Sequence, residues 1–318
     1  MMSDKKCYRN VTEFLLLRFS DFRYVHQLSI FVFLCSAYIF TLLGNGLIIV
    51  TVTLSSCLHT PMYFFLRNLS LIELCFITVT IPKAIYIFMS EIMSISLLGC
   101  AFQMQAFVSV GASECLFLAV MAFDRYVAIC HPLRYMTVLS PKMCFHLTIL
   151  SWVVGIFVSF GVTSSIFSVP CCYSNCILHF FCDIAPVLNL ACVNTFKNEM
   201  TVFIICILVV VIPFLAILCS YINILCSVGL IQSAKGHHKA FSTCGSHLMS
   251  VILFYGTNMF VYLRIGTQGS TGHDRIIALV YCIIIPAINP LIYSLRNKDM
   301  KQSVSKLPQV VRAYGNTW

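Results

Sequence analysis

Residues 98–129 read LGCAFQMQAFVSVGASECLFLAVMAFDRYVAI, and this stretch decides the fold. It exceeds the roughly 20 mostly apolar residues that an α-helix needs to cross a bilayer core of about 30 Å. Glu114, Asp124 and Arg125 are its only charged residues. Because apolar residues would lie all round such a helix rather than on one face, the stretch is predicted to span a membrane.

Six further blocks have the same character, and each is predicted to be helical because lipid offers the backbone no hydrogen-bond partner. The seven predicted spans are Leu28–Leu54, Pro61–Phe88, Leu98–Ile129, Pro141–Ser165, Glu199–Leu230, Lys239–Ile265 and Arg275–Leu295. The chain is 59% hydrophobic and only 10% charged, against about 25% charged residues in soluble domains. The predicted fold class is therefore all-α, a seven-transmembrane helix bundle over residues 28–295.

The two tails, residues 1–27 and 296–318, are predicted to lie on opposite sides of the membrane because the number of spans is odd. Basic residues exceed acidic ones by more on the side of the second tail, which the positive-inside rule makes cytoplasmic. The extracellular first tail then carries the glycosylation sequon that starts at Asn10. No separate signal peptide is expected, because the first apolar block is too long for one.

Six cysteines cluster on the predicted outer face, five of them in the loop after the fourth span. This face is an oxidising environment, so disulfides are expected, although the residues alone leave their pairing open. The alternative is a metal site that combines these thiols with His179. The six are Cys100, Cys171, Cys172, Cys176, Cys182 and Cys192.

The triplet Asp124-Arg125-Tyr126 stands at the inner end of the third span. Cys100 marks the outer end, because the helix between Cys100 and Arg125 measures roughly 37 Å. Arg125 has two interpretations. It either extends to the membrane interface, or it acts as a switch that pairs with Asp124 at rest and meets a partner when helices move.

Two prolines predict kinks in other spans. Pro290 follows Asn289 in the seventh span, where the missing backbone donor should distort the helix and Asn289 should satisfy freed groups. Tyr293 should reach the bundle near Arg125. Pro213 and Tyr221 form a similar pair in the fifth span. Together these residues predict a bundle that pivots at its inner end.

Two carboxylates, Glu73 and Glu114, lie within apolar spans, where ionisable groups are costly and mark functional sites by default. With Asn45 of the first span they are predicted to face the bundle interior. The residues support a bound sodium ion or a shared proton, and the alternative is an inert hydrogen-bonded cluster.

Five segments resemble the signature segments of vertebrate odorant receptors, which are rhodopsin-like class A G-protein-coupled receptors. They occur in the same order along nearly the whole chain, and the segment at 239–244 is close to diagnostic. The short loop before the seventh span resembles the tetrapod-type class. The segments are PMYFFL at 61–66, MAFDRYVAIC at 121–130, SY at 220–221, KAFSTC at 239–244 and PAINPLIYSLRN at 286–297.

The resemblance implies two disulfides, Cys100–Cys182 and Cys172–Cys192. The other two cysteines of the outer loop depart from the family pattern. Glu73 is another departure, because most members carry Asp there, and this puts sodium binding in doubt.

The resemblance also implies that small volatile ligands bind in the outer half of the bundle. The residues predicted there are mostly apolar and none is charged, which favours a neutral ligand with one hydrogen-bonding group over an amine. Apolar contacts discriminate weakly, so broad tuning is expected. The predicted contacts are Met104, Phe107, Val108, Gly111, Ala112, Phe203, Cys206, Ile207, Tyr255, Asn258, Met259 and Tyr262.

By the same resemblance, the partner is the stimulatory olfactory G protein, the output is cAMP, and the location is the ciliary plasma membrane of olfactory neurons. The residues assigned to the G-protein switch are Asp124, Arg125, Tyr126, Tyr221, Asn289, Pro290 and Tyr293.

Other classes of protein fit the sequence less well. A transporter would show internal repeats and matching broken helices, and none is visible. A membrane hydrolase would need a nucleophile with a base, and no such arrangement is visible, so no enzyme is expected. The basic inner face follows from topology and predicts no nucleic-acid partner. The remaining alternative is a receptor of this type that is used outside the nose.

Overall fold

The computed structural model describes residues 12–16, 24–89, 94–170, 175–177, 179–229, 234–262 and 278–315. Eight long helices dominate this part of the chain and are labelled α1 to α8. They are α1 Tyr24–Leu54, α2 Pro61–Met89, α3 Leu97–Cys130, α4 Pro141–Phe167, α5 Phe196–Gly229, α6 Ala234–Tyr262, α7 Val280–Ile284 continued by Ile285–Arg296, and α8 Lys298–Gly315. Short helices cover Tyr135–Val138 and Ile184–Leu188.

The first five helices are long and apolar enough to cross a membrane, and a shorter apolar helical stretch covers Val280–Tyr293 in α7. Large apolar side chains such as Leu43, Phe157 and Phe160 lie exposed on the faces of α1 and α4 that point away from the other helices. Lipid is the solvent in which such a surface is stable. The predicted seven-helix bundle is confirmed, and α8 is a further helix within the predicted tail at 296–318.

The starts of α3 and α4 follow from local sequence. Ser96 and Ser140 have extended backbones, and their hydroxyls accept hydrogen bonds from Gly99 N at 3.1 Å and Met143 N at 3.4 Å. Each cap satisfies one of the backbone donors that a helix start leaves unpaired. Pro141 occupies the first turn of α4, where its missing N–H costs nothing.

The helices α3 and α4 approach each other closely at Gly155. A Cβ atom on Gly155 would lie 2.2 Å from Ser113 Oγ and 2.6 Å from the carbonyl oxygen of Ser109. No side chain fits at those distances, so glycine here allows the two backbones to pack together.

Two π-helical turns interrupt the outer halves of α5 and α7. They cover Ile207–Val211, which precedes Pro213, and Val280–Ile284, which precedes Pro286. A π turn adds a residue to a helical turn and changes the face that the following residues present. Pro290 lies further along inside α7.

A three-stranded sheet covers the outer end of the bundle and was not predicted. Its strands are β1 Glu13–Leu16, β2 Ser94–Ser96 and β3 Cys176–Ile177. The central strand β1 pairs antiparallel with β2 and parallel with β3. The N-terminal segment and the two outer loops are thereby joined into one layer.

Candidate functional site

At the inner end of α3, Arg125 forms an ion pair with Asp124. Both side chains are buried, with exposed fractions of 6% and 1%. Arg125 therefore does not extend to the membrane interface, and the structure contains the resting pair expected of a switch. Arg125 Nη1 also contacts Met62 Sδ at 3.2 Å. Tyr126 lies apart from this pair, because its hydroxyl bonds the exposed His131 at 3.1 Å.

Tyr135, from the short helix after α3, completes this buried group and was not predicted. Its hydroxyl donates to Asp124 Oδ1 at 2.7 Å. Burial, together with the negative charge of Asp124, raises the pKa of Tyr135 above its ordinary value. Tyr135 is therefore a lasting hydrogen-bond donor that holds Asp124 in place. Tyr135 reaches Asp124 because of the conformation of the loop after α3. A loop has no helical spacing from which this contact could be predicted.

A second buried contact joins α5, α6 and α3. The Tyr221 hydroxyl lies 2.7 Å from His247 Nδ1, and His247 Nε2 lies 3.1 Å from the carbonyl oxygen of Leu118. Because a carbonyl oxygen only accepts, Nε2 carries the proton and Tyr221 donates to Nδ1. Tyr221 was predicted to belong to the switch, whereas its partner His247 was missed.

The middle of the bundle contains the predicted polar cluster. Asn289 of α7 donates to Glu73 Oε1 and accepts from the Ser250 hydroxyl of α6 at 2.9 Å. Glu114 interacts electrostatically with Glu73. Within the described residues, Glu73 Oε2 and the Tyr293 hydroxyl are buried without a hydrogen-bond partner. Five groups from four helices therefore meet here.

Asn45 has a different role from the expected one. Its Nδ2 donates to the carbonyl oxygen of Pro286 at 3.3 Å. That carbonyl is the one which Pro290, four residues later, cannot satisfy because proline has no N–H. Asn289 was expected to satisfy freed groups of this kink, and this was wrong. The helix α1 supplies the missing donor instead.

The predicted ligand-contacting stripe of α3 faces the bundle interior. Met104, Phe107 and Ala112 are buried, and each belongs to a different apolar cluster. Val108 and Gly111 between them are half-buried. Helical spacing alone was sufficient to find this face.

Phe107 is the centre of an aromatic group that was not predicted. Its ring centroid lies 5.1 Å from that of Phe76, 4.9 Å from Phe181 and 6.0 Å from Tyr281. These rings come from α2, α7 and the outer loop, and no local sequence pattern links them. They form one wall of the outer half of the bundle.

On α5, the predicted face is wrong in part. Phe203 and Ile207 lie on the face of α5 that points away from the other helices, with exposed fractions of 52% and 40%. Val202 and Val209 are buried instead, and Cys206 packs against the outer apolar cluster as expected. The physical reason is that α5 is apolar over most of its length, so no polar face marks the side that turns toward the other helices.

On α6, Tyr255 is buried and its hydroxyl donates to the carbonyl oxygen of Cys115 on α3 at 3.0 Å. Asn258 Nδ2 bonds the carbonyl oxygen of Phe254 on its own helix at 2.8 Å. Met259 is 41% exposed, and the side chain of Tyr262 lies outside the described residues. Tyr255 therefore links α6 directly to α3, as His247 does three residues further along α3.

The outer loop is fixed by the Cys100–Cys182 disulfide, whose Cα atoms lie 5.5 Å apart. This predicted bridge is confirmed. Cys192 is also disulfide-bonded, but its predicted partner Cys172 lies outside the described residues, as does Asn10. Because oxidised cysteines cannot act as thiolate ligands, Cys100, Cys182 and Cys192 do not form the alternative metal site.

Asp183 adds a carboxylate that the predicted pocket lacked. It accepts hydrogen bonds from Ile184 N at 2.7 Å and from the Tyr281 hydroxyl at 3.3 Å. Burial raises the pKa of Asp183 above its ordinary value. The loop thus reaches into the outer half of the bundle and contacts α7.

Comparison with known proteins gives a consistent result. The chain matches the olfactory receptor family over residues 34–309. It is 46% identical to human olfactory receptor 10AG1 over 295 residues, which are 93% of this chain and 98% of that relative. It is 43% identical to rat olfactory receptor 1468 over 282 residues, 89% of this chain and 90% of the relative. Human olfactory receptor 10C1 is 44% identical over 299 residues, 94% of this chain and 96% of that relative.

A buried ion pair at the inner end of α3, a polar cluster between helices and a disulfide over the outer end suit a receptor that relays a signal across a bilayer. The family match covers all of these features. The chain therefore belongs to the olfactory receptor family of multi-pass G-protein-coupled receptors, and it is not an enzyme.

Proposed function

We propose that the receptor binds small, mostly apolar odorants in the outer half of the bundle and activates a stimulatory G protein, which raises cAMP. The observation that carries this proposal is the direct bond from Tyr255 of α6 to the backbone of α3. A ligand between these two helices would change the distance that this bond holds. The change would be passed along α3 and α6 to their inner ends.

The expected ligand is neutral. Met104, Phe107 and Val202 supply apolar contacts. The Asp183 carboxyl is already held by Ile184 N and the Tyr281 hydroxyl. Burial raises the pKa of Asp183, which disfavours the charged form that an amine would pair with. Contacts of this kind distinguish ligands weakly, and the receptor should respond to several related odorants.

A panel of odorants applied to cells with a cAMP reporter tests the ligand class. Responses to neutral odorants of moderate size support the proposal. Responses only to amines or only to carboxylic acids would contradict it. Cells without the receptor are the control for direct effects of the odorants.

The switch is proposed to work by release of Arg125. In the resting arrangement Arg125 pairs with Asp124, and Tyr221 bonds His247. Outward movement of the inner end of α6 would break the contact between Tyr221 and His247. Arg125 would then be free to meet the G-protein α subunit. Asn289, Pro290 and Tyr293 would adjust in α7, where the Tyr293 hydroxyl has no partner among the described residues.

The variant Arg125→Ala should abolish the cAMP response while surface abundance changes little. Arg67→Ala, which removes an arginine from the inner half of α2, is the matched control and should keep the response. A full response from Arg125→Ala would refute the switch.

We further propose that Glu73 and Glu114 hold a sodium ion or share a proton. The unpaired Glu73 Oε2 and the nearby Glu114 support this, because two buried acids need a neutralising charge. Thermal stability of purified receptor in sodium chloride should exceed that in choline chloride, and Glu73→Gln should remove the difference. Stability that depends on pH but not on sodium indicates the shared proton. Dependence on neither would leave only the inert cluster.

The proposed location is the plasma membrane of olfactory cilia, with the tail at residues 1–27 outside and the tail at residues 296–318 inside. An antibody against an N-terminal epitope should label intact cells, whereas one against a C-terminal epitope should need permeabilised cells. Asn10→Gln should remove a glycan and lower the apparent mass. Both epitopes labelling intact cells would refute the topology.

A further inference from the structure

The N-terminal strand β1 takes no part in the sites described above, yet it is bonded on both edges. It pairs with β2 on one side and with β3 on the other. Beyond these pairs, Leu97 N donates to the carbonyl oxygen of Thr12 at 2.9 Å, and Leu15 N donates to that of Asn175 at 2.7 Å. The first bond fixes the strand directly above the start of α3.

Side chains alternate along β1, as the geometry of a strand requires. Phe14 and Leu16 are fully covered, with exposed fractions of 0% and 1%, whereas Leu15 between them is 42% exposed. An apolar N-terminal segment with two of its side chains fully buried is a structural part of the bundle.

Phe14 and Leu16 belong to one contiguous apolar cluster with Met104 of α3, Cys182 of the outer disulfide and Val202 of α5. Met104, Cys182 and Val202 lie in the region where odorants are proposed to bind. Because interiors of this kind are closely packed, the size of the two strand residues limits the space available beside them.

We propose that Phe14 and Leu16 form the outer wall of the odorant pocket, so that they limit both access to Met104 and the size of the accepted ligand. This inference rests on the proposed function, because it assumes that odorants bind in the outer half of the bundle. Leu15 supplies a matched control on the same strand with the opposite orientation.

The first experiment measures access and needs neither odorant nor G protein. Met104→Cys is placed in three backgrounds: wild type, Phe14→Ala with Leu16→Ala, and Leu15→Ala. Intact cells are treated with a membrane-impermeant maleimide, and labelling of each cysteine is followed by peptide mapping. We expect about tenfold faster labelling at position 104 in the double-alanine background and no change with Leu15→Ala.

The native Cys115 thiol, which is buried on α3, reports on general unfolding and should stay unlabelled. If the double-alanine background exposes it, Phe14→Leu is used instead, because it shortens the side chain and keeps its apolar character. Equal labelling at position 104 in the folded backgrounds would overturn the proposal.

The second experiment measures ligand size. A homologous series of increasing chain length is made from an odorant that activates the wild type in the panel above. Phe14→Ala should lower the half-maximal concentration of the longer members about tenfold relative to the shorter ones, and Leu15→Ala should not. An unchanged length preference would overturn the role in selectivity. Failure of every odorant would instead refute the proposed function, and the labelling result would still decide whether the strand forms the wall.

Discussion

The side chains around Asp124 explain how a charged pair is stable in the inner part of a membrane bundle. Asp124 accepts from both Arg125 and Tyr135, so its carboxylate is satisfied on two sides by protein groups. A buried ion pair is stable only when such additional hydrogen bonds offset the loss of hydration. The resting state therefore depends on a loop tyrosine as well as on the arginine.

Replacing Tyr135 with Phe should raise basal cAMP production, because it removes one of the bonds that hold Asp124 and leaves the ring in place. A hydrogen bond to a charged group contributes about 1.5–3 kcal/mol, so the active fraction should rise roughly tenfold or more from a low level. Tyr86→Phe is the control, because Tyr86 is an exposed tyrosine of α2 that is not assigned to the switch. Unchanged basal activity of Tyr135→Phe at equal surface abundance would contradict the role of Tyr135.

For single residues, the sequence predicted the position of a side chain correctly where all residues of the pattern lie on one helix. The stripe Met104–Ala112 and the pair Asp124 and Arg125 lie on α3 alone, and their spacing was sufficient. Tyr135 and His247 were missed because their partners are far away in sequence, and distances of that kind follow only from packing. Asn45 was identified as a buried polar residue, but the atom it contacts was not.

At the scale of single elements, α7 depends on a hydrogen bond from another helix. Pro290 has no backbone N–H, so it leaves the carbonyl of Pro286 without an intrahelical donor, and Asn45 of α1 provides one. The helix α7 is therefore stabilised at Pro290 from outside the helix.

Asn45→Ala should destabilise the receptor by about 1–3 kcal/mol, because it leaves a buried carbonyl unpaired. In a Pro290→Ala background, residue 290 regains a backbone N–H that can bond the Pro286 carbonyl. The loss of stability caused by Asn45→Ala should therefore be smaller in this background than in wild type. Thermal unfolding of the four purified proteins in a double-mutant cycle measures this difference. Strictly additive effects would show that Asn45 does not serve the Pro286 carbonyl.

The contact between α3 and α4 has little tolerance for added volume. Gly155→Ala should lower stability by about 1–3 kcal/mol, because its Cβ would overlap a backbone oxygen. Gly46→Ala on α1, where nothing lies within 4 Å, is the control and should stabilise its helix by up to about 1 kcal/mol. Melting temperatures of the two variants in detergent should move in opposite directions. Similar shifts for both would contradict close packing at Gly155.

The helices themselves could be predicted from apolar length, but two kinds of element could not. Because α5 is apolar over most of its length, its composition does not mark the face that packs against the bundle, and Phe203 and Ile207 were placed on the wrong face. The π turn at Ile207–Val211 leaves composition unchanged. The strands of the outer sheet contain only two to four residues each, which is too short for an alternating pattern to stand out from chance.

For the whole molecule, the outer and inner ends are stabilised by different chemistry. The outer end has a disulfide, a sheet and a buried loop, all joined to the start of α3. The inner end has hydrogen bonds and the Asp124–Arg125 ion pair, and such contacts exchange partners easily. A rigid outer half and an adjustable inner half suit a receptor whose signal must be read inside.

Removal of the Cys100–Cys182 bridge by alanine at both positions should cost about 4 kcal/mol, because the bridge closes a sequence separation of 82 residues. Surface abundance should fall strongly, and the remaining receptor should melt at a lower temperature. Cys219→Ala, at an exposed cysteine of α5, is the control and should behave as wild type. Normal surface abundance without the bridge would show that the outer layer is stable on its own.

One oxygen atom just before α8 joins that helix to the first turn of α2. Asn297 Oδ1 lies 3.0 Å from Asp299 N, 3.2 Å from Met300 N and 3.0 Å from the Tyr63 hydroxyl of α2. A carbonyl oxygen has two lone pairs, so three donors share it. Rotation of this single amide would release the first turn of α8 and the first turn of α2 together. The attachment of α8 to the bundle therefore depends on the torsion angles of one asparagine side chain.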